Sequence, residues 1–134
     1  ALGNLEEMDI FPSFEQNLVS ADVVGMVEAH RGTSLDIAAQ LADSRFHTIF
    51  IDGDHSYEGS KKDLDNWRTK LAPGGHIIFH DSHLEGVQRC IHEFISTYDC
   101  RVILSPYTSD LHLSNMPHGT ICHLMVPASS QRMT

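Results

Sequence analysis

No stretch of this sequence approaches the roughly 20 consecutive apolar residues needed to cross a bilayer, so a membrane-spanning helix is not expected. The first nine residues carry no basic patch followed by an apolar core, so no secretory leader is expected either. Positive charge is scarce: nine Lys and Arg stand against eighteen Asp and Glu, a net charge of −9. Nucleic acids and anionic membrane surfaces bind clustered Lys and Arg. The one basic pair, Lys61-Lys62, is followed at once by Asp63 and Asp65, so neither partner is expected. Cysteine is also sparse. Cys90, Cys100 and Cys122 are odd in number and never spaced C-x-x-C, which argues against a disulfide framework or a zinc knuckle. Three reduced thiols in a cytoplasmic protein is the simple expectation.

What the sequence does have suits one domain over residues 1–134: hydrophobic residues make up 41% and charged residues 20%, the balance of a globular chain with a single core. Helical and strand patterns alternate. Pro12 to Ser20 reads as a short helix with the proline in its first turn and Phe14, Leu18 and Val19 on one side. Val24 to His30 reads as a strand ended by Arg31-Gly32-Thr33. Ser34 can cap a helix running through Leu41, with Asp36 near its positive end. Phe46 to Ile51 is a β-rich run. Glu58 to Leu71 places Leu64, Trp67 and Leu71 on one apolar face. Pro73-Gly74-Gly75 is a breaker, His76 to His80 a second central strand, and Leu84 to Thr97 another helix. Arg101–Ser105 and Thr120–Val126 read as two strands joined by a long loop.

Strands separated by helices of this length imply a parallel sheet with right-handed crossovers, and the last two strands, with no helix between them, an antiparallel pair at its edge. The fold class is therefore α/β with a mostly parallel sheet. In such sheets ligands sit beyond the carboxyl ends of the strands. That rule selects Gly32-Thr33-Ser34, Asp52-Gly53-Asp54-His55 and His80-Asp81-Ser82.

Asp52 ends one predicted central strand and Asp81 the next. Neighbouring strands lie about 4.8 Å apart, so both carboxylates can face one ligand. Like charges that close repel, and a divalent cation removes the conflict. Asp oxygens suit Mg²⁺; an added imidazole from His80 would favour Mn²⁺, Fe²⁺ or Zn²⁺. His55, three residues past Asp52, can take a proton from a substrate hydroxyl. Each residue also has an ordinary structural role. Asp52 can hold a turn, Asp81 can cap the following helix, and His80 can point away from Asp81 by strand alternation. Taken one at a time these roles are the better reading; taken together, acids on two strand ends beside a histidine favour a site. Asp54 reads as a turn residue holding His55. Of the other histidines His83, two past Asp81, is the one of interest, since none forms H-E-x-x-H spacing.

The string Phe50-Ile51-Asp52-Gly53-Asp54-His55-Ser56-Tyr57-Glu58-Gly59, followed by Asp63-Leu64-Asp65-Asn66-Trp67 and by Leu71-Ala72-Pro73-Gly74-Gly75-His76-Ile77-Ile78-Phe79-His80-Asp81, closely resembles class I S-adenosylmethionine-dependent methyltransferases of the metal-dependent O-methyltransferase type. The resemblance implies a partial Rossmann-like fold, S-adenosylmethionine as cofactor, a divalent metal (Mg or Mn), and a small-molecule or sugar hydroxyl as acceptor. By the same resemblance Asp52 and Asp81 match metal-binding residues, with His80 standing where relatives carry another acidic ligand. His55 matches a proposed general base. Gly32, Thr33 and Ser34 match the turn near the adenine, Asp52 adjoins the cofactor, and Asp9 matches the acid that bonds the ribose.

One family feature has no counterpart. The family's first strand leads into a glycine-rich E/D-x-G-x-G loop that holds the methionine end of the cofactor, whereas Gly3 is the only glycine before Gly25 here. The resemblance then implies a chain starting near the family's second strand, weak cofactor binding by these 134 residues, and an uncovered sheet edge that pairs two copies into a homodimer. Two rivals remain: a metal-dependent hydrolase using Asp52, His55, His80 and Asp81 around water, and a non-catalytic interaction domain or inactive fragment.

Overall fold

The structure is a computed structural model that describes residues 9–105 and 121–128. Contacts divide the chain into two compact units, Ala1–Arg31 and Gly32–Thr134.

In the first unit, helix α1 spans Phe11–Ser20 with proline in its first turn, where the missing N–H costs nothing. The expected strand at Val24–His30 does not form. Val24–Met26 is a single 3₁₀ turn. Val27 is extended, but the segment joins no ladder among the described residues. Valines at 23, 24 and 27 give the local β signal, yet a strand needs a neighbour to satisfy its backbone groups.

In the second unit, helix α2 spans Ser34–Gln40 and strand β1 spans Phe46–Ile51. Helix α3 covers Tyr57–Trp67 and passes through a 3₁₀ turn at Arg68–Lys70 into strand β2, Leu71–Phe79. Helix α4 spans Glu85–Thr97, followed by strands β3 (Arg101–Leu104) and β4 (Cys122–Met125). The sheet order is β1-β2-β4-β3. Strands β1 and β2 pair parallel, while β4 is antiparallel to both β2 and β3. Three strands thus run one way and β4 runs back, the mostly parallel α/β sheet expected. Thr120, the expected start of the last strand, lies outside the described residues.

The helix expected over Glu58–Leu71 ends at Trp67, and Leu71 opens β2 instead; two other boundaries differ for local reasons. The cap of α2 is Thr33, whose hydroxyl accepts the Asp36 N–H, so Ser34 is the first helical residue. Pro73-Gly74-Gly75 does not end a segment. It forms a bulge inside β2, where the register jumps from Phe46↔Leu71 to Thr48↔His76. Gly74 supplies the positive φ of 76° that the bulge requires.

Alternation along β2 buries Leu71, Ile77 and Phe79 on one face, against Leu64 of α3 and Val87, Cys90, Ile91 and Phe94 of α4. Cys122 and Leu124 of β4 and Ile49 of β1 complete this core, with Trp67 packed against it. Burying each large apolar side chain contributes about 1.5–3 kcal/mol. This one-sided core fixes β1 and β2 side by side, and with them the residues that follow each strand.

Candidate functional site

Asp52 follows β1 directly, and the His80 N–H donates to Ile51 C=O at 3.0 Å. The parallel ladder therefore continues to the point where both strands release their chains. Asp81 then adopts φ 50°, a left-handed conformation uncommon outside glycine, tolerated best by Asn and Asp, and typical of functional sites. The turn has a consequence for its neighbour. Strand alternation would send His80 and Asp81 to opposite faces, but it applies only to extended backbone. With Asp81 turned, both side chains reach the same place. His80 Nδ1 lies 3.2 Å from Asp52 Oδ1 and 3.1 Å from Asp81 Oδ2. The helix-cap role for Asp81 is not realised: Leu84 is the N-cap of α4, and no side chain caps it.

His55 joins the same cluster. Its Nε2 is 3.1 Å from Asp81 Oδ2 and 3.7 Å from Asp52 Oδ1. The loop that carries it is held by Asp54, whose Oδ1 accepts the Ser56 N–H at 2.8 Å and whose carbonyl accepts the Ser60 hydroxyl at 2.9 Å. The Ser56 N–H first, and then the Ser56 hydroxyl, hold the Asp54 carboxyl below its usual range. Asp54 is thus the turn residue expected, committed to the loop rather than to a ligand. Ser56 caps α3 by accepting the Gly59 N–H.

Asp52, His80 and Asp81 each offer a ligand atom, all within 4.8 Å of one another. The Nδ1 of His80 is shielded from water and, despite its proximity to both carboxylates, makes no hydrogen bond. A buried nitrogen left unsatisfied between two carboxylate oxygens costs stability unless something occupies the gap. Two oxygens and one imidazole nitrogen form a donor set that fits a divalent cation, with Mn²⁺ suited better than Mg²⁺. The side chains of Asp52 and His55 are 46% and 42% exposed, so a ligand can reach them.

The other predicted residues lie apart from this cluster or in local roles. His83 is exposed and outside it. The Thr33 hydroxyl donates to Asp36 Oδ2 at 2.7 Å, and Ser34 Oγ accepts the Trp67 indole N–H at 2.6 Å. At the Gly32-Thr33-Ser34 turn both hydroxyls are thus engaged locally, and the Thr33 C=O accepts the Ile37 N–H at 3.1 Å. Asp9 belongs to the first unit, where its Oδ1 accepts from the Phe11 N–H and from Arg31. Arg31 also lies over the Phe11 ring at 4.4 Å.

Sequence reasoning missed the contacts of Tyr57, two residues past His55. Tyr57 donates to Glu93 Oε2 at 2.5 Å under the Arg89 guanidinium, 3.8 Å from the ring centroid. The i,i+4 spacing of Arg89 and Glu93 on α4 was a visible signal; their shared partner on α3 was not.

Comparison with known proteins places these features in context. A 54-residue stretch is 33% identical to an uncharacterized protein, y4gI, of Sinorhizobium fredii (strain NBRC 101917 / NGR234), taking in 40% of this chain and 6% of that protein. A crystal structure of a protein from Corynebacterium glutamicum superposes with a TM-score of 0.62 at 15% identity, over 84% of this chain and 54% of its own. That likeness is one of fold. The chain thus spans a small part of the first relative and about half of the second. The family model described as a methyltransferase domain matches residues 1–82, from the start of the chain through β1, α3, β2 and Asp81. The chain belongs to this methyltransferase-domain family.

Proposed function

We propose that the chain performs S-adenosylmethionine-dependent O-methyl transfer to a hydroxyl of a small molecule or sugar, assisted by a divalent cation. The observation that carries this reading is the unsatisfied His80 Nδ1 between the Asp52 and Asp81 carboxylates, with His55 beside them. Asp52, His80 and Asp81 are the residues that would hold the cation. A cation there would supply Lewis acidity, lowering the pKa of an acceptor hydroxyl and orienting its oxygen.

His55 is the proton acceptor in this reading. With its Nε2 turned to Asp81, the neutral tautomer that donates to the carboxylate keeps its lone pair on Nδ1. Asp81 thereby orients the ring, and Nδ1 would take the hydroxyl proton; S-adenosylmethionine would supply the methyl group and leave as the neutral thioether. The Gly32-Thr33-Ser34 turn and Asp52 are the proposed cofactor contacts. Family membership supports them, while the local engagement of the Thr33 and Ser34 hydroxyls leaves backbone groups as the larger share.

The test is label transfer from S-adenosylmethionine, supplied at millimolar concentration because binding is expected to be weak, to a panel of polyhydroxy acceptors. Transfer should require Mg²⁺ or Mn²⁺ and stop with EDTA. His55→Gln should reduce the rate by about 10²–10⁴-fold, the span of general base catalysis. Metal-dependent hydrolysis of a generic phosphoester without the cofactor, in place of transfer, would make the site a hydrolase centre.

A further inference from the structure

We propose that Gly86 and the Tyr57–Arg89–Glu93 clasp are positioning groups that set His55 against the Asp52–Asp81 carboxylates. The purpose rests on the methyl-transfer reading above; the geometry stands without it.

His55 and Asp81 leave different strands, so their separation is not fixed by either loop alone. The Asp54 and Ser56 bonds organise the His55 loop internally but do not tie it to β2. Helix α4 provides the tie. On one side it is joined to Asp81 by a short turn in which the Leu84 N–H donates to Asp81 C=O at 3.0 Å and Ser82 is completely buried. On the other side its first turn meets the His55 loop directly. A Cβ built on Gly86 would lie 2.5 Å from His55 O, 2.5 Å from Tyr57 N and 2.8 Å from Ser56 C. All three are main-chain atoms, so no side-chain rotation relieves the overlap. Glycine is otherwise a poor helix residue, and the close approach is a physical reason for one here.

The clasp holds the same junction one and two turns further along α4. Tyr57, the first residue of α3, is bonded through its hydroxyl to Glu93, while Arg89 covers its ring and places Nε 3.5 Å from Glu93 Oε1. Glu93 raises the Tyr57 pKa, so the phenol remains a donor over the working range. Val87 and Ile91 of the same helix are buried in the core, so α4 cannot slide to absorb a change at the junction. A methyl group at position 86 must instead push the His55 main chain away from α4, and the ring leaves its place beside Asp81.

The experiment compares the wild-type chain with Gly86→Ala, Tyr57→Phe, Glu93→Gln and, as a core-destabilised control, Val87→Ala. Two quantities are read: the His55 ring resonances by NMR at one fixed pH, and kcat against KM for methyl transfer. Gly86→Ala should displace the His55 resonances and lower kcat by about 10- to 100-fold, as expected for a misplaced catalytic group, with KM little changed. Tyr57→Phe and Glu93→Gln should shift the same resonances in the same direction by less. Val87→Ala should lower the melting temperature and leave them in place. His55 resonances unmoved by Gly86→Ala, or moved equally by Val87→Ala, would overturn the proposal. A wild-type chain that transfers no methyl group would remove the catalytic reading, and the ring resonances would still decide the positioning role.

Discussion

His76 and His123 form a pair across the β2–β4 ladder, with Nδ1 of the first 2.8 Å from Nε2 of the second and ring centroids 4.9 Å apart. At that distance one ring must donate and the other accept, which requires at least one neutral imidazole. Burial, and then the proximity of His76, holds the His123 pKa below its ordinary 6.5. The unfolded chain therefore binds protons more readily than the folded one. Stability from the pair is fully present above pH 6.5 and is lost as pH falls from there through the lower folded value. Two charged rings 4.9 Å apart would repel by about 3 kcal/mol at an effective dielectric of 20, and solvent and salt reduce this to about 1–2 kcal/mol at a half-buried site. The neutral hydrogen bond lost with it is worth about 1 kcal/mol. Urea unfolding at pH 7.5 and pH 5.5 measures the effect. The wild-type chain should lose up to about 1.4 kcal/mol more on acidification than His123→Leu, the ceiling that proton linkage sets between these two pH values for one imidazole of ordinary pKa 6.5. Equal losses in the two proteins would refute the assignment.

Two further outcomes follow from burial and edges. Cys90 and Cys122 are buried, and burial raises both thiols to about 11. At pH 8 only about one in a thousand would be thiolate, so alkylation in the native state should be on the order of 100-fold slower than for a free cysteine and become rapid on unfolding. Among the described residues strand β3 pairs only with β4, and it exposes Val102, Ile103 and Leu104. Such an apolar edge invites pairing with a second copy. Sedimentation at micromolar concentration should show a dimer that Ile103→Lys returns to monomer, and a monomeric wild-type chain would contradict this.

Much of the fold was legible because its signals are local and periodic. β1 matches the β-rich run Phe46–Ile51 to the residue, and α4 differs from the predicted helix by one. Asp52 and Asp81 were found because a parallel sheet makes adjacent strand ends converge, a rule of topology rather than of sequence spacing. What was not legible depended on non-local or backbone facts. The valines near Val24 promise a strand that has no ladder partner. The bulge at Pro73-Gly74-Gly75 exists because Leu71 pairs with Phe46, a partner the local sequence does not reveal. The direction of His80 was open because alternation predicts one face, and the positive φ at Asp81 selects the other. Gly86 carries no local signal of its contact with the His55 main chain, which only the packing of α4 on that loop creates.

Asp52, His80 and Asp81 are the proposed cation ligands, with His55 beside them but not itself a ligand. Titration of the chain with Mn²⁺, followed by the electron paramagnetic resonance of the free ion, tests this assignment most directly. The account predicts a single class of site whose affinity falls at least about 10-fold, or ~1.4 kcal/mol, in Asp52→Ala, His80→Ala and Asp81→Ala. His55→Gln should bind Mn²⁺ nearly as the wild-type chain does. Equal Mn²⁺ binding by wild type and the Asp52→Ala, Asp81→Ala double variant would contradict the account.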